Sequence, residues 1–181
     1  MWGYVARNVA TLVDPPKVVH YTVRVLTPSE AARFLAFTTG NRLEALYRVA
    51  LSLGLRQGEA LGLRWGDIDL DARSLRIAVA LQPIGGELLL VGPKTAQARR
   101  TLPLPATLVA ALRRHRARQD AERAKAGAAW QGRDLVFCTR TGMPIHRRNL
   151  IRAFHTLRER AGLPPMRFHD LRHSCLSLLA A

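Results

Sequence analysis

The chain has 181 residues, 48% of them hydrophobic, with 28 Lys+Arg against 13 Asp+Glu and a formal charge of +15. That is enough apolar material for one sizeable core with an appended arm, and no apolar run approaches the length of a membrane span. The first ten residues offer no long apolar stretch and no small-residue cleavage site, so no secretory signal is expected. Cys138 and Cys175 form neither a disulfide framework nor a metal pattern with the histidines, which fits a reducing cytoplasm. The charge is uneven: residues 1–93 carry 10 basic and 8 acidic side chains, residues 94–181 carry 18 and 5. A basic half of this kind favours a polyanion partner over a solvated surface of ordinary composition. Membrane attraction is disfavoured, because the basic stretches lack Trp/Phe anchors on an opposite face.

Residues 1–8 read as the end of a helix, and Asp14-Pro15-Pro16 as a linker that forbids its continuation. Residues 1–25 are therefore expected to be the end of a preceding domain plus a linker, and residues 26–181 one further domain, C-terminally incomplete. Thr27-Pro28-Ser29-Glu30 is a capping box with proline at the first helical position, and Leu26 is placed to staple against Ala31. Gly40 stops this helix. Asn41 caps a second helix with Leu43, Leu46, Tyr47, Ala50 and Leu51 at helical spacing, and Gly54 ends it. A short third helix covers Gln57 to Leu63. The period then becomes two: Leu75, Ile77 and Val79 mark a strand, Gly85-Gly86 a turn, Glu87–Val91 a second strand and Arg100–Leu104 a third. Together they predict a small three-stranded antiparallel sheet. A long helix follows from Ala106 to Lys125, then a short strand at Leu135–Cys138, a helix from Arg147 to Ala161, and a last helix from His169. The expected class is α+β, mostly α.

Two separated basic motifs carry the chemistry. Arg56 follows the helix stop Gly54 and precedes a short helix, a place where a guanidinium and backbone N–H groups can meet a phosphate. Glu59, three residues on, can orient it; by itself this is also what an ordinary structural Arg–Glu pair looks like. His169 and Arg172, three apart, share a helix face and can both donate to one anion. Lys94 follows Pro93 at a loop or hairpin tip, where a lysine can reach a cleft as a proton donor. It is one of three lysines among 28 basic residues, so an arginine was the commoner choice here. Arg99, Arg100, Arg147, Arg148 and the run Arg113-Arg114-His115-Arg116 are candidate contacts to a phosphate backbone. Asn149 and Arg152 are candidates to approach base edges.

These segments, in this order, resemble the phage-type integrases, the tyrosine recombinases. Ala50 to Trp65, with Leu55-Arg56-Gln57-Gly58-Glu59-Ala60-Leu61 at its centre and Asp67-Ile68-Asp69 after it, is similar to their first arginine box. Pro93-Lys94-Thr95, then Arg100-Thr101-Leu102-Pro103-Leu104, resembles the sheet segment that bears their lysine. His169-Asp170-Leu171-Arg172-His173-Ser174 resembles the second box. The resemblance implies that Arg56 and Arg172 clamp the scissile phosphate and stabilise the transition state, each worth ~10²–10³-fold in rate. It implies that Lys94 protonates the departing 5′ oxygen, that His169 assists proton transfer, and that Glu59 supports Arg56. The implied chemistry is site-specific cleavage and rejoining of double-stranded DNA through a 3′-phosphotyrosine, with no metal and no cofactor, and with self-association on DNA as a tetramer in the full-length protein.

The sequence departs from that pattern: the further His or Trp and the nucleophilic Tyr expected beyond the second box are absent, as is the usual N-terminal DNA-gripping domain, and its only tyrosines are Tyr4, Tyr21 and Tyr47, all before Arg172. The expectation is a catalytic-domain fragment that binds DNA and forms no covalent adduct alone. Two other readings stand beside the enzyme. One is a truncated, catalytically inactive integrase that acts only as a DNA-binding module. The other is a basic RNA-binding protein, in which Arg56, Lys94, His169 and Arg172 lie scattered.

Overall fold

A computed structural model describes residues 13–14, 21–92 and 99–180. The expected helix end at residues 1–8, Pro15-Pro16 and Lys94 lie outside them. The helices are α1 (Pro28–Phe37), α2 (Glu44–Leu53), α3 (Gln57–Leu61), α4 (Ala106–Ala126), α5 (Arg147–Arg160) and α6 (Asp170–Ala180). The strands are β1 (Ile68–Asp69), β2 (Ser74–Ile77), β3 (Ala80–Ile84), β4 (Glu87–Val91) and β5 (Arg100–Pro103). The class is α+β and mostly α, as expected. No helix among the described residues is long and apolar enough to cross a membrane.

The local signals work as read at α1. The Thr27 hydroxyl accepts from the Glu30 N–H at 3.2 Å, and the Glu30 carboxylate accepts from the Thr27 N–H at 2.8 Å. Leu26 and Ala31 are both buried. Asn41 lies two residues before the cap Leu43: its side-chain oxygen accepts from the Leu43 N–H at 2.8 Å, and α2 starts at Glu44. Helix α2 is the central element, packed against both α4 and α6. Its buried Glu44 accepts from Arg48 and from Arg114 of α4. Arg42, just before α2, forks onto Glu122 of α4 at 2.7 and 2.6 Å.

The sheet differs from the expectation. The three-stranded sheet is β1-β2-β5, all antiparallel, with Ile77 opposite Arg100. Glu87–Val91 is not part of it; it pairs with Ala80–Ile84 in a separate hairpin whose last pair is Ile84 and Glu87. The two-residue turn Gly85-Gly86 closes this hairpin locally, so β4 takes the partner nearest in sequence. Val79 falls between the strands rather than at the end of one. The expected strand at Leu135–Cys138 is buried but makes only single bridges, Leu135 to Arg64 and Cys138 to Pro144. Proline has no N–H to extend a ladder.

The core is one apolar cluster in which four rings meet. Phe154 of α5 lies 6.0 Å from Phe34 of α1, 6.2 Å from Tyr47 of α2 and 5.6 Å from Phe168, which precedes α6. This cluster fixes α1, α2 and α5 against the segment that leads into α6. Phe154→Ala is expected to cost ~3–5 kcal/mol in urea unfolding, since it leaves a cavity under all four elements.

His115 of α4 is buried, not a phosphate contact. Its Nε2 bonds the Val136 carbonyl at 2.7 Å, and its ring lies against Trp65 and Phe137. Burial first, then the cations of Arg42 and Arg118, hold its pKa below the ordinary 6.5, against the raising effect of the Val136 carbonyl. A depressed pKa means the fold prefers the neutral ring. Its stabilising effect is full above pH 6.5 and is lost as pH falls below that value toward the folded pKa. Thermal melting between about pH 7.5 and about pH 5 should therefore show a stability loss that His115→Gln, which does not titrate, reduces.

Candidate phosphate-binding site

Helix α2 ends at Gly54 in the left-handed conformation, φ +57° and ψ +34°. The chain leaves α2 extended, and Arg56 is the residue before α3. Glu59 then serves Arg56 twice: its carboxylate accepts from the Arg56 N–H at 3.0 Å and from Nη1 at 3.1 Å. The Arg56 side chain stays 63% exposed while that of Glu59 is 10% exposed. Burial pushes the Glu59 carboxyl up, but bonds from Arg100 and Arg56 outweigh it and leave it below its ordinary value. Glu59 is thus an anion near neutral pH and Arg56 a presented cation. Helix α3 is kept close to β3 by Gly58 and Gly62, where an added Cβ would lie 2.9 Å from the Leu81 oxygen and 2.8 Å from its nitrogen.

The second motif arrives on α6. Arg172 donates through Nη1 to the carbonyl of Gly54, two residues before Arg56 and 118 residues away in sequence. Cys175, one turn on, packs its Sγ where a Gly54 Cβ would stand, at 3.3 Å. His169 lies just before α6, exposed, with its ring 5.1 Å from that of His173. Burial first, then His173 and Arg172, hold the His169 pKa below its ordinary value. It is a neutral imidazole near neutral pH, able to accept a proton.

Gln57, Gly58 and His169 line one cleft of about 640 Å³ together with His146, Arg147 and Arg148 at the start of α5. The two arginine motifs and two of the proposed backbone contacts thus share one basic region. A larger open cavity of about 900 Å³, between Trp65–Asp71 and α4, mixes aspartates with arginines; Arg56 and Arg172 line neither space, and His169 lines only the smaller cleft. Arg99 is exposed beside the sheet. Arg100 turns toward Glu59, with Nη2 at 2.9 Å. Asn149 and Arg152 bond each other at 2.8 Å on the exposed side of α5. The run on α4 is not a free basic face: Arg113 pairs with Asp71, Arg114 with Glu44, and Arg116 lies over Trp65 at 5.2 Å.

Three features of the site were not picked out from the sequence. His146 caps α5, accepting through Nδ1 from the Arg148 N–H at 3.2 Å. The Gln57 amide nitrogen is buried beside Arg56 with no partner among the described residues. Tyr21 donates to Asp170 at 2.5 Å, and Arg167 stacks on its ring at 3.5 Å, which ties the segment before α1 to the start of α6. His146 sat visibly before a helix; the Tyr21 pairing spans 149 residues and leaves no local signal.

The fold is thus a helical domain with small antiparallel sheets whose two arginine motifs meet at the end of α2. The phage integrase family profile matches residues 24–181, and the chain belongs to that family. It is 33% identical over 190 residues to a tyrosine recombinase XerC-like protein of Caldanaerobacter subterraneus subsp. tengcongensis, covering 95% of this chain and 49% of that protein. An integrase of Streptomyces ambofaciens is 32% identical over 188 residues, with 97% and 47% covered. In fold, the Tn1549 transposon integrase in complex with transposon right end DNA superposes with a TM-score of 0.76 at 20% identity, over 97% of this chain and 58% of that one. The chain spans about half the length of the relatives it matches.

Gly54→Ala should destabilise by ~1–2 kcal/mol from the left-handed backbone alone, with more from the Cβ–Cys175 contact. Cys175→Ala in the same chain should recover part of the loss in thermal melting, because it opens the space the new Cβ needs.

Proposed function

We propose that this chain is the catalytic domain of a site-specific DNA recombinase, cutting and rejoining double-stranded DNA through a 3′-phosphotyrosine. The observation that carries this reading is the bond from Arg172 to the Gly54 carbonyl, which sets two cationic side chains at one helix end beside the cleft of His169, Arg147 and Arg148. An RNA-binding protein that used these residues separately would have no need of that convergence. Arg56 and Arg172 hold the non-bridging oxygens of the scissile phosphate and stabilise the charge that develops there. His169, as a neutral imidazole, assists the proton transfer from the nucleophile. Lys94 protonates the 5′ oxygen. Glu59 holds Arg56 from behind, and Arg99, Arg147 and Arg148 contact the flanking backbone. Residues 1–25 belong to the end of a preceding DNA-binding domain and its linker. The protein works in the cytoplasm and self-associates on DNA, up to a tetramer, when full length.

A second reading, a DNA-binding module without chemistry, draws on the two tyrosines among the described residues. Tyr47 is buried in the core, and the Tyr21 hydroxyl is committed to Asp170. Neither is placed to attack a phosphate. The 181-residue chain incubated with duplex DNA should give no detergent-resistant covalent species; such a species would refute this account of the tyrosines.

Binding to duplex DNA should weaken steeply as salt rises, and Arg56→Ala and Arg172→Ala should each flatten the slope of log K against log salt by about one unit. Affinity independent of salt would sink the phosphate reading. In a longer protein carrying the nucleophile, either substitution should cut strand cleavage by ~10²–10³-fold while binding falls modestly.

A further inference from the structure

Strand β5 alternates, with Arg100 and Leu102 half-buried and Thr101 and Pro103 exposed. Arg100 therefore turns inward with the core-facing side of the strand. There its guanidinium forks onto Glu59, Nη2 to Oε2 at 2.9 Å and Nη1 to Oε1 at 3.3 Å. The same carboxylate holds the Arg56 N–H and Nη1. One carboxylate thus lies between two guanidiniums of different exposure, 30% for Arg100 and 63% for Arg56.

That asymmetry assigns the roles. A planar guanidinium gripping both oxygens of a carboxylate fixes its plane, which a single-point contact does not. Glu59 sits on a five-residue helix and needs such an outside anchor. With its plane fixed by Arg100, Glu59 offers Arg56 one side-chain contact, and Arg56 keeps its outward face. Without Arg100, Glu59 keeps only its contacts to Arg56, and its carboxylate can turn to take both arms of that guanidinium, drawing it away from solvent and neutralising it. We infer that Arg100 is a positioning residue for Arg56, acting through Glu59 rather than by its own contact to DNA. This rests on the proposal that Arg56 holds a phosphate.

The test is duplex DNA binding by the 181-residue chain, measured by fluorescence anisotropy at several salt concentrations. The variants are Arg100→Lys and Arg100→Gln, each alone and with Arg56→Ala. If Arg100 acts through Arg56, Arg100→Lys keeps the charge but loses the fork. It should then weaken binding roughly three- to tenfold, nearly as much as Arg100→Gln, and the loss should vanish when Arg56 is already alanine. In a Glu59→Gln background no carboxylate is left to capture Arg56, so the Arg100 substitutions should cause no further loss there; a loss of the same size in that background would overturn the inference. A loss that Lys restores, or one of equal size with and without Arg56, would mean a direct contact and overturn the inference while leaving Arg56 as a phosphate ligand. No loss from Arg56→Ala would overturn both.

Discussion

Arg56 and Arg172 are brought to one place by the packing of α6 against the C-terminal end of α2. Gly54 is the pivot of that contact. Its left-handed backbone turns the chain out of α2, its missing Cβ admits Cys175, and its carbonyl accepts from Arg172. Because that carbonyl belongs to a helix end, it has no partner within the helix, and a guanidinium satisfies it. The aromatic cluster of Phe34, Tyr47, Phe154 and Phe168 supports the arrangement from below, since Phe168 holds the chain immediately before His169. The site is therefore built on a packed helix pair rather than on a loop alone, which restricts how far its cations can drift.

Electrostatics sorts the arginines into two kinds. Some are committed to the fold: Arg42 to Glu122, Arg48 and Arg114 to Glu44, Arg64 and Arg76 to Asp67. Glu44 and Asp67 each collect two guanidiniums, and both carboxyls lie below their ordinary values: against burial, the Gly40 N–H and then the two arginines lower Glu44, and the arginines lower Asp67. Others are presented: Arg56, Arg99, Arg147 and Arg148 are exposed at or near the site. Glu59 joins the two kinds, holding a half-buried arginine on one side and an exposed one on the other. The surplus charge of the second half thus overstates the free cations offered to a polyanion, since Arg113 and Arg114 of α4 pair with carboxylates and Arg116 lies over Trp65.

Much was legible in the sequence, and for reasons that are local. The Thr27 capping box, the Gly54 stop, the Gly85-Gly86 turn and the long helix from Ala106 are each decided by interactions within a few residues. The bond between Arg56 and Glu59 follows from a spacing of three. The family resemblance was legible too, because the order of the motifs survives without knowledge of the fold. The sheet partners were not: β4 is an apolar run after Glu87 with no alternation, and nothing in its own residues says which edge it joins. The basic run on α4 misled for the same reason, since its carboxylate partners Glu44 and Asp71 lie 70 and 42 residues away.

The sequence by itself determined where the helices lie to within two or three residues, the residue types that chemistry needs and the family to which they belong, because caps, turns and motif order are written at short range. Tertiary structure alone decided that Arg172 meets the end of α2, that Tyr21 is bound to Asp170, and that Arg100 shares Glu59 with Arg56. Those contacts span 118, 149 and 41 residues. Closing such loops is a property of the packed core, and no periodicity or spacing along the chain records it.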